Sequence, residues 1–88
     1  MIKREYTIID PLGMHARPAT ALLKLGRNFK SAVSLEKNGK SVPVKSMLNI
    51  LALTLKFGDI VTVVIEGEDE TEASVVIENF FMEEMKHF

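Results

Sequence analysis

An α+β domain, an antiparallel sheet covered on one side by helices, is predicted by three features of this sequence. Four strand-like runs and three apolar stripes at helical spacing follow one another in the order β, α, β, β, α, β, α. Asn38 and Gly39 join two of the strand runs, and both tolerate the positive φ that a two-residue hairpin turn requires. Each helix offers only one apolar stripe and each strand one clear core face, so helices layered on a single side of the sheet bury them all.

The first strand comes from Ile2 to Ile9, where Ile2, Arg4, Tyr6 and Ile8 share one face and Lys3, Glu5, Thr7 and Ile9 the other. Burial is assigned to Tyr6 and Ile8. Asp10, Pro11, Leu12 and Gly13 then form a turn. Pro18, with its preset φ and no N–H, suits the first turn of a helix, and Ala19, Leu22, Leu23, Gly26 and Phe29 continue it at helical spacing. Gly26 costs a helix interior up to about 1 kcal/mol against alanine, so it marks close approach to the sheet or the helix end.

Ala32 to Lys37 and Lys40 to Val44 are the hairpin strands, and Pro43, which cannot donate to a ladder, makes the second an edge strand. Ser46 precedes Met47, Leu48, Ile50, Leu51 and Leu53, and a serine there accepts a first-turn N–H as an N-cap. This helix of about two turns, in a segment ended by Gly58 and Asp59, cannot bury every side of itself in a small domain. Ile50 and Leu53 are assigned to the core, leaving Met47, Leu48 and Leu51 as an exposed apolar patch of the kind that marks a contact surface. Ile60 to Glu66, rich in β-branched residues, reads as a central strand. Asp69 and Glu72 give an Asp-x-x-Glu cap signal. The last helix then buries Ala73, Val76, Ile77, Phe80 and Phe81, carries Glu70, Glu78 and Glu83 outside, and has Lys86 and His87 near its negative pole.

One domain over residues 1–88 follows from a length that permits a modest core without metals or disulfides. The absence of cysteine removes any disulfide framework or thiolate metal site. A net charge of −1 with interleaved signs argues against a general nucleic-acid binder. The start MIKREY lacks the apolar run of a signal peptide, and no stretch approaches the ~20 apolar residues of a membrane span. The expectation is a cytoplasmic protein without membrane insertion, with no cofactor, and a monomer by default.

The chemistry concentrates in GMHARPAT, Gly13 to Thr20. His15 sits at or just before a helix N-terminus, where free backbone N–H groups and the positive dipole end suit an anion. Arg17 adds a planar fork of donors that matches phosphate oxygens. The dipole disfavours a second positive charge on the imidazole, leaving a nucleophilic ring nitrogen. The arrangement reads as a resting place for a phosphoryl group. A metal site at His15 would need converging ligands, and no His, Cys or carboxylate occurs around it at ligand spacing. A hydrolase with His15 as general base would need a nucleophile and an orienting acid. Thr20 and Asp10 are the nearest candidates, and nothing in the pattern places them around the ring.

GMHARPA, together with KSMLNILAL at Lys45 to Leu53, resembles the HPr family, the histidine-phosphorylated carriers of the phosphoenolpyruvate-dependent sugar phosphotransferase system. The resemblance runs from Tyr6 to about Phe81. It implies an open-faced β-sandwich with strand order 1-4-2-3. Local pattern alone does not separate that order from the ferredoxin-like one. It further implies that His15 accepts phosphate on Nδ1 from phosphorylated Enzyme I and donates it to a histidine on EIIA domains of sugar permeases, with Arg17 stabilising the phosphate. Short-lived transfer complexes would use Met47, Leu48, Leu51 and Arg17, with Arg27 as an outer contact. In family members controlled by an HPr kinase/phosphorylase the serine matching Ser46 is phosphorylated. Leu12, Asn49 and Thr54 depart from common family residues, and Leu12 leaves open a nitrogen-related regulatory branch with the same histidine chemistry. The competitor from another class is a ferredoxin-like RNA-binding module, which needs exposed aromatics on its sheet; here the strands supply only Tyr6.

Overall fold

The computed structural model describes residues 1–88. Its elements are β1 (Ile2–Thr7), α1 (Ala16–Arg27), β2 (Ala32–Lys37), β3 (Lys40–Pro43), α2 (Met47–Ala52), β4 (Ile60–Glu66) and α3 (Glu70–Met82), followed by a 3₁₀ turn, Glu84–His87. The four strands form one antiparallel sheet in the order β1-β4-β2-β3. Ile2 lies opposite Ile65, Val33 opposite Ile65 on the other side, and Leu35 opposite Val42. β4 is therefore the central strand its composition suggests, and β3 with Pro43 is an edge. β1 occupies the other edge, whereas a split βαβ arrangement of the ferredoxin-like kind sets it inside the sheet.

Alternation decides which face meets the helices. Tyr6, Val33, Leu35, Val42, Val61, Val63 and Ile65 point into one core with Leu22, Ile50, Ile77, Phe80 and Phe81 from the helices. Tyr6 stacks on Phe81 with ring centroids 5.1 Å apart, and Phe80 meets Phe81 edge-on at 5.0 Å. The Tyr6 hydroxyl donates to Glu78 Oε1 at 3.2 Å; burial first, and then the Glu78 charge, raise the phenol to about 12. The one aromatic ring the strands supply thus faces inward, and the opposite sheet face presents Lys3, Glu5, Ser34, Glu36, Thr62 and Val64. No helix is long and apolar enough to cross a membrane.

The Asn38-Gly39 turn has φ of 51° and 82°, as its sequence demands. Ser46 caps α2 by accepting from the Asn49 N–H at 3.1 Å, and Ile50 and Leu53 are buried. Four expectations differ from the structure. α1 ends at Arg27, so Phe29, placed in its apolar stripe, lies past the helix and is half-buried against the core. Asp69 stands at the N-cap of α3 but makes no capping bond. Its carboxylate instead accepts from the Lys30 and Ser31 N–H groups, each at 2.9 Å, and from the Ser31 hydroxyl, so three donors at the entry to β2 outcompete the local cap. Val76 is only half-buried, because the helix turns Ala73, Ile77, Phe80 and Phe81 toward the core and leaves it on the flank. Lys86 and His87 lie in the 3₁₀ turn, beyond the end of α3, where burial of Met85 bends the chain back onto the core.

Candidate functional site

His15 is the N-cap residue of α1, with extended backbone at φ −88° and ψ −173°. Its carbonyl accepts the Ala19 N–H at 3.1 Å and so begins the helix, while its ring makes no capping bond. The ring is left free for other work. Ahead of it the chain is held by Gly13, whose φ of 72° favours glycine and whose position against the Leu55 carbonyl leaves no space for a Cβ. Met14 N–H donates to that same carbonyl at 2.8 Å. These contacts pin the turn before His15 to the segment that follows α2.

At the helix start, Pro18 has no N–H, and the N–H groups of Ala16 and Arg17 find no acceptor within the chain. Two main-chain donors beside the imidazole are therefore open to an anion. The Arg17 side chain is exposed and joins none of the ion pairs of the molecule. Arg17 thus supplies one of those donors itself and follows His15 by two residues, and its side chain lines a shallow surface hollow with Thr20, Lys24 and Phe88. His15 itself is about a quarter exposed, with 24% of its side-chain surface accessible. An incoming group can reach it.

Beneath the ring lies Asp10, fully buried. Its Oδ1 accepts the Leu12 N–H at 2.8 Å, and its Oδ2 lies 3.1 Å from His15 Nε2. From the sequence alone Asp10 is a turn residue and a candidate acid for a hydrolase, with nothing in the spacing to set it against the ring. The signal available was an Asp-Pro turn five residues upstream, but only the folded turn shows that one oxygen is used locally while the other faces the imidazole. Thr20, the nucleophile of that hydrolase reading, is elsewhere engaged. Its hydroxyl lies 2.7 Å from the Ala16 carbonyl oxygen and 3.5 Å from the Met47 sulfur.

The apolar patch is narrower than expected. Leu48 is 81% and Leu51 38% exposed, but Met47 is half-buried against the core and against Thr20 of α1. Leu12, noted in the sequence only as a turn residue and a family departure, and Phe57, which no motif marked, are exposed on the two loops that Gly13, Met14 and Leu55 hold together. Arg27 lies ten residues along α1 from Arg17, about 15 Å at the helical rise, and is not brought to His15. It borders a cleft of about 520 Å³ with Lys30, Lys45 and Phe29. Neither α1 nor α2 contains an acidic residue. The charged side chains of these two helices are therefore all basic, Arg17, Lys24 and Arg27 of α1, while α2 presents Leu48 and Leu51. No three His, Cys, Asp or Glu side chains converge as a metal site.

Known proteins share the sequence pattern and the fold of this chain. The family model for the PTS HPr component phosphorylation site matches residues 2–83. A phosphocarrier protein HPr from Lysinibacillus sphaericus is 42% identical over 73 residues, covering 83% of each chain. Among solved structures, HPr-C-His from Thermoanaerobacter tengcongensis superposes with a TM-score of 0.93 at 30% identity, covering 100% of this chain and 99% of that one. A structure described as an HPr dimer from the same organism gives 0.75 at 33% identity, covering 83% and 84%.

Proposed function

Since the chain belongs to the HPr family of phosphocarriers, we propose that it carries a phosphoryl group on His15 between phosphorylated Enzyme I and the EIIA domains of sugar permeases. The observation that carries this reading is the ring of His15, partly exposed beside two unpaired main-chain N–H groups and the free Arg17. A ring nitrogen supplies the in-line nucleophile, and the amides and guanidinium meet the charge on the phosphoryl oxygens. An imidazole also leaves readily, which a carrier requires and a serine ester does not provide. The protein is a stoichiometric carrier that takes part in the reaction without turning over a substrate of its own.

Arg17, Leu48 and Leu51 are the contacts we assign to partner docking, with Met47 supporting them and Arg27 at the rim. An apolar and basic face suits a partner with an apolar and acidic one. Ser46 adds a candidate control point beside this face. Its hydroxyl caps α2, so a phosphate there meets the positive end of a helix and the fold survives, while the new charge opposes an acidic partner. This is the modification an HPr kinase/phosphorylase would make. The carrier is taken to act as a monomer in the cytoplasm, although a relative has been solved as a dimer.

The test is incubation with phosphoenolpyruvate and Enzyme I. An acid-labile phosphate should form in the wild type and be absent in His15→Ala. An unphosphorylated wild type would overturn the proposal. For Ser46, incubation with ATP and the kinase should add an acid-stable phosphate that Ser46→Ala lacks, and transfer from Enzyme I to the modified protein should slow.

A further inference from the structure

Asp10 has no role in the reading so far, yet among the fully enclosed side chains it is the one carboxylate. Burying a carboxylate is costly unless donors satisfy it. Here Oδ1 has the Leu12 N–H at 2.8 Å, and Oδ2 has only His15 Nε2 at 3.1 Å. An ionised carboxylate can only accept, so Nε2 must be the nitrogen that bears hydrogen. In a neutral imidazole the lone pair then falls on Nδ1.

We infer that Asp10 is the positioning residue of the carrier, selecting the Nε2–H form of His15 and keeping that proton in place through both phosphoryl transfers. The inference rests on His15 being the phosphoryl acceptor. In the first transfer the Nδ1 lone pair attacks phosphorus, the Nδ1–P bond forms, and the bond from phosphorus to the donor's ring nitrogen breaks, its electron pair returning to the donor. His15 now bears phosphoryl on Nδ1 and hydrogen on Nε2, a cationic ring beside the Asp10 carboxylate. In the second transfer a lone pair of the acceptor histidine attacks phosphorus and the Nδ1–P electron pair returns to His15. Because Nε2 has kept its hydrogen, the group that leaves is a neutral imidazole. Loss of that proton would make it an imidazolate, a far poorer leaving group. No proton need enter or depart in either step.

Asp10→Asn tests this with little change of shape. The amide oxygen can still accept from Leu12, which turns the amide NH₂ toward Nε2 and favours hydrogen on Nδ1, the unreactive form. Nitrogen-15 NMR of the unphosphorylated wild type should show the neutral ring with hydrogen on Nε2, and Asp10→Asn should shift the balance to Nδ1. Transfer from Enzyme I should fall at least about tenfold in the variant, the direction seen when an aspartate that orients a catalytic histidine is made asparagine. Hydrogen on Nδ1 in the wild type, or an unchanged rate in a folded variant, would overturn the inference. The tautomer is read without phosphate and requires no variant. If His15 took up no phosphate at all, the carrier reading would fall, and a wild-type ring with hydrogen on Nε2 would still support the hold of Asp10 on the imidazole.

Discussion

Thr54 holds a β-branched side chain at φ 53°, a region that L residues enter at a cost of roughly 1–2 kcal/mol. What keeps it there is its own carbonyl, which accepts from Lys37 Nζ at 2.8 Å, and the adjacent end of α2. Glycine would relieve the strain while the carbonyl keeps its partner. Thr54→Gly should therefore raise stability by up to about 1 kcal/mol, after the entropy that glycine adds to the unfolded chain, as read from urea unfolding. Tyr6 provides an optical check on the core. Its ultraviolet titration should centre near 12, and Glu78→Gln should lower it by removing the second largest cause. At this scale the sequence made His15 and Arg17 legible because residue type and the proline after them already specify a helix start. Asp10 was not legible as the neighbour of His15. Which of its two oxygens meets the ring depends on the path of a turn, and residue spacing does not encode that path.

Elements were readable wherever one signal acted alone. Ser46 before an apolar run has no rival donor, so it caps α2, and Ser46→Ala should cost about 1 kcal/mol in thermal or urea unfolding. Asp69 had a rival. This aspartate, an equally good capping type at a helix start, is drawn across to Lys30 and Ser31, and tertiary donors override a local motif. Asp69→Ala should consequently loosen the entry to β2, with faster amide exchange at Lys30 and Ser31 and little change in α3. The short α2 also divides its residues between two roles. Ile50→Ala should destabilise by about 2–5 kcal/mol as a buried cavity. Leu48→Asp, 81% exposed, should leave stability within about 0.5 kcal/mol and weaken Enzyme I docking by roughly tenfold.

Acidic side chains that tie elements together make the stability of the whole molecule depend on pH. The Lys37 ammonium, and then the Lys56 N–H, hold the Asp59 carboxyl below the usual carboxylate range, and the Ser31 hydroxyl and Lys30 N–H do the same for Asp69. Depressed folded-state values mean that this stabilisation is fully present above the unfolded value of about 4 and is lost as pH falls through the lower folded one. The urea midpoint should thus decline below pH 4, and less steeply in an Asp59→Asn, Asp69→Asn double variant. The β-α order and hairpin were legible at this scale, whereas strand order came through resemblance, since pairing between distant strands leaves no local trace in residue periodicity.

Because all three helices cover one side of the sheet, the molecule has a back that carries neither His15 nor Arg17. Lys3 stands there, exposed and opposite Val64, and the chain contains no cysteine. A thiol introduced as Lys3→Cys would be unique, so a fluorophore or a bead could be attached at that one point with the working end still turned toward solution.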